Sequence, residues 1–479
     1  MNSQLSPQQF DNQAQLLAPD WLLLPEGPAR DQAILVDGDK FAAVGPLAQL
    51  QDKYPGLPLT RLPGKLLMPG FIDTHHHLTQ AFGKALVFGE PSEIFRRVWV
   101  PMEASLNPER LYLTAKLAAL EALRGGFTTV CDAGTRASQG LDAIARATTE
   151  AGIRCVLGQV CNDKRGPEQL DRAPLLSQAE RHIAAWEGHD LVVPSLAIPI
   201  PEIATDPMLH AVSSLCAEAG IVFQTHVNEH LVAVERSLEQ RGLRPVEHLY
   251  RVGALGPQAL LAHATLLTPT ELKMVRDTDA AVSYNPVASA WKGNAVAQAQ
   301  LMDTLGIRLG LGTDGTRSDG FRLLDYAEAA QRFAFGLAVG DASCGGGWPW
   351  LEQATQGGAG VLGLATGVIA EGKAADFLLV DLEVPEMLPS WDLSWELVRL
   401  ANRDQIQGVF VAGRLRLWQG WPLDWDARTL MREVSMLAKT AVEQAPIQKI
   451  HAFSSQHRSE RKELPTPPCC TMTESTHES

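Results

Sequence analysis

Short apolar runs, each closed by polar or glycine-containing residues, set the rhythm of this chain, and the rhythm differs between its ends and its middle. Residues 20–67 read as strands joined by tight turns: Ala33-Ile34-Leu35-Val36, the pair Asp37-Gly38, then Phe41-Ala42-Ala43-Val44. An Asp-Gly between apolar runs predicts a hairpin, because the tight turn needs positive φ. The same texture returns in 375–380 and again in 408–415. Two strand-rich segments at opposite ends of a chain can pair into one small sheet domain, with the long middle inserted between them.

That middle alternates strand and helix signals. Candidate strands are Leu66–Ile72, Phe127–Asp132, Cys155–Val160, Leu191–Ile198, Val222–His226, Ala259–His263, Ala281–Asn285 and Arg308–Thr313. Helical stretches such as Leu111–Leu123 and Pro207–Ala219 fill the intervals. Eight such units over about 300 residues fit a (β/α)8 TIM barrel better than an open doubly wound sheet. The reading is therefore α/β: a barrel over residues 68–365, with a small β-sandwich domain built from residues 1–67 and 366–446, the latter part including a C-terminal helix. The polar stretch 447–479 is expected to be a disordered tail.

Composition narrows the partners. The 479 residues carry a formal charge of -14, and no basic face or stripe is visible, so a nucleic-acid partner is not expected. No apolar run reaches the roughly 18 residues needed to cross a bilayer, and Met1–Gln9 lacks the features of a secretory signal. The seven cysteines are scattered and form no CxxC pair, which reads as reduced thiols in a cytoplasmic protein. The adjacent Cys469 and Cys470 are read as an incidental pair rather than a metal site.

The chemistry starts at Asp73-Thr74-His75-His76-His77, directly after an apolar run. On an extended strand residues two apart point the same way, so His75 and His77 project together and His76 faces away. Two imidazoles aimed at one point from a barrel strand make half a zinc site. The bland alternative is a chance surface cluster, but a triple histidine closing a buried strand is uncommon. Three more candidate strands end in suitable groups: His226 with Glu229 three residues on, His263, and Asp314. Each alone reads as a structural residue; four strand ends converging on the C-terminal face of one barrel make a specific combination.

These residues resemble the amidohydrolase superfamily, and within it the cytosine deaminase and chlorohydrolase-like branch. The resemblance rests on Pro69-Gly70-Phe71-Ile72-Asp73-Thr74-His75-His76-His77, His226-Val227-Asn228-Glu229, Ala262-His263, Gly312-Thr313-Asp314-Gly315 and Glu371-Gly372-Lys373-Ala374-Ala375-Asp376. It implies metal ligation by His75, His77, His226 and Asp314, with Glu229 and His263 handling protons and Asp314 accepting the proton of the attacking water. The run His75-His76-His77-Leu78-Thr79-Gln80 is most similar to 8-oxoguanine and pterin deaminases, isocytosine deaminases and triazine aminohydrolases, which makes Gln80 the substrate contact. Binuclear relatives place a lysine or glutamate at the end of the fourth strand; Leu191–Pro199 contains neither, so one Zn2+ per chain is expected, with Fe2+ the alternative.

The implied reaction is hydrolytic deamination of a small aminated N-heterocycle (purine, pterin, pyrimidine or triazine), in which zinc-activated hydroxide attacks the amidine carbon and ammonia leaves. Further copies of the chain and the heterocycle are the expected partners. A second reading keeps the site but changes the leaving group to an N-alkylamine, chloride or ring amide; a third is a non-enzymatic relative, ranked low because every candidate ligand is retained. The other zinc deaminase class carries P-C-x-x-C, which is absent here. The sequence departs from relatives at Tyr284-Asn285-Pro286-Val287-Ala288-Ser289, at Ser318-Asp319 and at Ile200-Pro201, in loops expected to line the pocket. Arg317 and Trp99 are read as a surface arginine and a packing tryptophan.

Overall fold

The computed structural model describes residues 5–10, 14–90, 94–340 and 346–449. Eight parallel strands form the central sheet: β1 (Phe71–His76), β2 (Phe127–Asp132), β3 (Arg154–Val160), β4 (Val192–Ala197), β5 (Phe223–Val227), β6 (Ala259–His263), β7 (Ala281–Tyr284) and β8 (Leu309–Leu311). They are hydrogen-bonded in sequence order from β1 to β8. The circle closes where β8 returns to β1: His76 bridges Asp314, and Asp314 N donates to His75 O at 2.8 Å. The protein is thus a TIM barrel, as the pattern predicts, and its closing seam runs through two of the candidate site residues.

Helices pack outside because their apolar positions recur at helical spacing. In Pro108–Arg124 the buried positions Leu111, Ala115, Ala118, Ala119 and Ala122 face the barrel. Asn107 accepts from Arg110 N to cap the helix, and Pro108 occupies the first turn, where its missing N–H costs nothing. On the outer side Leu113 packs with Leu430 and Val434 of the C-terminal helix Ala427–Gln444.

The two chain ends meet in one nine-stranded sheet. Its join is the strand Leu59–Pro69, parallel to Gln15–Leu24 on one side and antiparallel to Phe377–Asp381 on the other. The sheet curls onto itself: Phe41 and Phe377, three strands apart in its order, bring their ring centroids within 5.8 Å. This rolled sheet encloses its own core of Phe10, Leu17, Ile34, Phe41, Leu67 and Phe410.

Two expected elements divide. The run Leu66–Ile72 ends one strand of the small sheet at Pro69 and begins β1 at Phe71. Gly70 makes the passage feasible, since a Cβ there would lie 2.2 Å from Thr128 Cγ2 on the neighbouring strand. The late apolar run 408–415 is two strands, Ile406–Val411 and Arg414–Trp418, turned at Ala412 and Gly413, both with positive φ. No helix among the described residues is long and apolar enough to cross a membrane. Cys131, Cys155, Cys161 and Cys216 are free and buried. The expected disordered tail lies, from residue 450, outside the described residues, as do Cys344, Cys469 and Cys470. Ahead of it, Gln448 N donates to Arg97 O at 2.9 Å, so the chain just past the last helix is held against the barrel.

Candidate metal centre and active site

Strand alternation acts as expected at the end of β1. His75 and His77 are buried on the site side, 2% and 4% exposed. His76 turns away, its Nδ1 2.9 Å from Thr313 Oγ1 and 3.2 Å from Asp73 Oδ2. Asp73 also accepts from Thr313 N at 2.9 Å and from the Thr313 hydroxyl, which fastens β8 to β1. Parallel pairing of β5 with β6 sets Val227 beside His263 and brings the ends of both strands to the same face.

Four imidazoles converge there. The ring centroids of His75 lie 5.0 Å from His77, 4.6 Å from His226 and 5.4 Å from His263. Nitrogens of His75, His77 and His226 all lie within 4.8 Å of one another, and ligand atoms of His75, His263 and Asp314 form a second such set. The sets share His75, and His77 Nε2 stands 3.4 Å from Asp314 Oδ1. The four residues expected as ligands are therefore neighbours, with His226 and Asp314 on opposite flanks of the group.

Burial keeps these rings neutral at neutral pH. His75 and His77 are held well below the usual imidazole range by desolvation. His226 is lowered to about 4, first by burial and then by the charge of His263. Neutral imidazoles offer the lone pair a cation needs. His226 Nδ1 lies 2.7 Å from Pro199 O, which turns its other nitrogen toward the cluster. His75 Nε2 is buried without a hydrogen-bond partner, a costly state that a cation would relieve. The donor set of imidazoles and one carboxylate suits zinc.

His263 is different. The Asn285 amide nitrogen is 3.3 Å from His263 Nδ1, and donation there leaves the proton on Nε2. That Nε2 lies 3.8 Å from both Glu229 Oε2 and Asp314 Oδ2. A protonated Nε2 donates hydrogen bonds and cannot ligate, which separates His263 chemically from the other three rings.

The carboxylates are held by groups the sequence did not single out. Lys292 Nζ lies 2.6 Å from Asp314 Oδ2 and 3.2 Å from Glu229 Oε1, and Asn294 Nδ2 donates to the same Glu229 oxygen at 3.0 Å. Burial pushes both carboxyls up, but His263 and Lys292 for Glu229, and chiefly Lys292 for Asp314, outweigh it and hold both ionised. The Glu229 backbone is fixed by Thr265 Oγ1, which lies 2.7 Å from Asn228 O and 2.9 Å from Glu229 O. Asn228, His263 and Asp314 all adopt left-handed φ (51°, 72° and 60°), backbone strain gathered at the strand ends that carry the chemistry.

Gln80 is buried rather than facing solvent. Its amide oxygen lies where a Cβ on Gly315 would be, 2.1 Å from that position, so glycine after Asp314 is what admits it. Tyr284 does not line the site: alternation along β7 sends it outward, its hydroxyl donating to Ala327 O at 3.2 Å, while Ser283 and Asn285 face inward. Trp99 is buried in an apolar cluster with Val98 and Met102. Arg317, half-exposed, borders a surface pocket with Trp291 and Tyr326.

A barrel presenting a histidine and carboxylate cluster at the C-terminal ends of its strands defines the class. The chain belongs to the amidohydrolase family, whose profile matches residues 66–416; a profile for an imidazolonepropionase-like composite domain of bacteria matches residues 33–56. It is 28% identical over 420 residues to the 5'-deoxyadenosine deaminase of Methanothermobacter thermautotrophicus, covering 86% of this chain and 95% of that one. It is 26% identical over 440 residues to the 5-methylthioadenosine/S-adenosylhomocysteine deaminase of Syntrophobacter fumaroxidans, covering 90% and 99%. Among solved structures, an adenosine deaminase from Xanthomonas campestris with bound zinc superposes with a TM-score of 0.82 at 24% identity, covering 90% of this chain and 99% of that one. The atrazine chlorohydrolase of Arthrobacter aurescens TC1, complexed with zinc, gives 0.77 at 22% identity, covering 88% and 99%.

Proposed function

We propose that this protein is a metal-dependent hydrolase of C–N bonds that deaminates a small aminated N-heterocycle, with adenine-bearing nucleosides the first substrates to test. The observation that carries the reading is the convergence of His75, His77, His226 and Asp314 beside Glu229 and His263. The names of the two curated relatives, both deaminases of adenine compounds, support the substrate class. Zinc is the preferred metal, one per chain, because it is the ion recorded in the two similar solved structures.

His75, His77, His226 and Asp314 would hold the cation, which supplies the Lewis acidity that makes water a nucleophile at neutral pH. Asp314 Oδ2 and His263 Nε2 flank the place of attack. Asp314 takes the proton from water, and His263 donates a hydrogen bond to the oxygen. Glu229 delivers a proton to the ring nitrogen, which makes the adjacent carbon electrophilic, and then protonates the departing amine. Water adds, ammonia leaves, and a ring carbonyl replaces the amine. Gln80 meets the edge of the ring.

The test is a panel of aminated heterocycles (adenosine, 5'-deoxyadenosine, 5-methylthioadenosine, S-adenosylhomocysteine, guanine, a pterin, an aminotriazine) read by ammonia release. At least one should be turned over. Turnover of N-alkyl or chloro analogues, with no ammonia from any aminated ring, would replace the leaving group while keeping the site.

A further inference from the structure

We infer that Lys292 is a positioning residue that ties the two carboxylates of the site together, holding Glu229 in place for proton transfer while competing with the metal for Asp314; this rests on the function proposed above. Lys292 is the last residue of the helix Pro286–Lys292, which Gly293 closes in a left-handed turn with φ 72°. That turn sends Lys292 and Asn294 to the same oxygen of Glu229, at 3.2 and 3.0 Å. The ammonium then reaches on to Asp314 Oδ2, at 2.6 Å.

An ordinary surface ion pair does not describe this contact. The Lys292 side chain is 21% exposed, and its partners Glu229 and Asp314 are 18% and 2% exposed. Both carboxylates also stand 3.8 Å from His263 Nε2, so two anions flank one small volume. Placing an ammonium between them offsets their repulsion, and the desolvation it costs is tolerable only because both partners are close and well aligned. Glu229 thereby gains two donors on one oxygen, leaving Oε2 directed toward His263.

The same geometry sets a conflict. An ammonium and a divalent cation draw on the lone pairs of a single carboxylate, and like charges a few ångströms apart in a water-poor site repel. Lys292 should therefore loosen the metal while placing the proton carrier. A lysine with a merely structural role would move neither quantity in this opposed fashion.

The experiment compares the full-length parent with Lys292→Met, Lys292→Gln and Lys292→Arg. Zinc affinity is read by competition with a chromophoric chelator, and kcat and KM with the best substrate of the panel. In Lys292→Met and Lys292→Gln, zinc should bind about tenfold more tightly, equivalent to about 1.4 kcal/mol. Their kcat should fall about 10- to 100-fold, part of the contribution of a general acid–base, with KM little changed. Lys292→Arg should move both values back toward the parent. Unchanged or weaker zinc binding in both neutral variants, with melting curves like the parent's, overturns the inference. A parent that takes up no divalent metal removes the proposed function and this inference together; a parent that loads zinc and releases ammonia, with neutral variants identical to it, removes the inference alone.

Discussion

The two halves of the site are built differently. His75, His77 and Asp314 sit on the closing seam of the barrel, none more than 4% exposed, in backbone held by His75 O, Asp73 and Thr313. Glu229, Lys292 and Asn294 stand on loops beyond β5 and β7, with Glu229 18% and Lys292 21% exposed. The metal half is thus fixed by the same hydrogen bonds that close the fold, whereas the proton half is held by side chains alone. Removing a group from the first should disturb binding and fold together; removing one from the second should disturb turnover alone.

The largest separation is expected from His226→Ala. It should lose most of its metal and with it nearly all activity, seen as metal per chain by elemental analysis alongside ammonia release. Glu229→Gln should keep the parent's metal content yet lose about 10²–10⁴-fold in kcat. Normal turnover in that variant takes Glu229 out of the mechanism.

Acid should strike the metal half of chelated protein. The imidazole of His226 falls from 6.5 to about 4 in the native chain, so the unfolded chain takes up protons first as pH drops. Stability therefore decreases from about pH 6.5 down to about 4 and levels off below, with His226 alone accounting for at most about 3 kcal/mol. Denaturant midpoints of the chelated protein at pH 7.5 and pH 5 check this, and a higher midpoint at pH 5 would contradict it. The smallest effect is expected from Gly315→Ala, whose Cβ displaces the Gln80 amide. KM should rise several-fold with metal content unchanged, and an unaltered KM would remove Gln80 from the substrate contacts.

Which parts could be read from sequence follows the same division. The barrel strands were legible because each is a short apolar run ending in a residue out of keeping with it, and the two-residue period placed His75 and His77 together and His76 apart. Phe127–Asp132 and Ala259–His263 match the structure residue for residue. Ends of runs misled where two strands follow without a polar break, as at Gly70 and at Ala412-Gly413. Lys292 was not legible: a lysine closing a short helix is indistinguishable from a solvated one until Gly293 is known to turn it inward. Asn285 and Thr313 escaped for a related reason, since each acts through a hydrogen bond to a residue distant in sequence. Pro199 is instructive, because the fourth strand was searched for a side-chain ligand while its contribution is a backbone carbonyl to His226.

Anomalous diffraction at the zinc edge, from crystals of the metal-loaded protein, asks the central question most directly. One peak is expected, about 2.0–2.2 Å from nitrogens of His75, His77 and His226 and from a carboxylate oxygen of Asp314. A peak elsewhere, or none in protein that turns over substrate, would contradict the account.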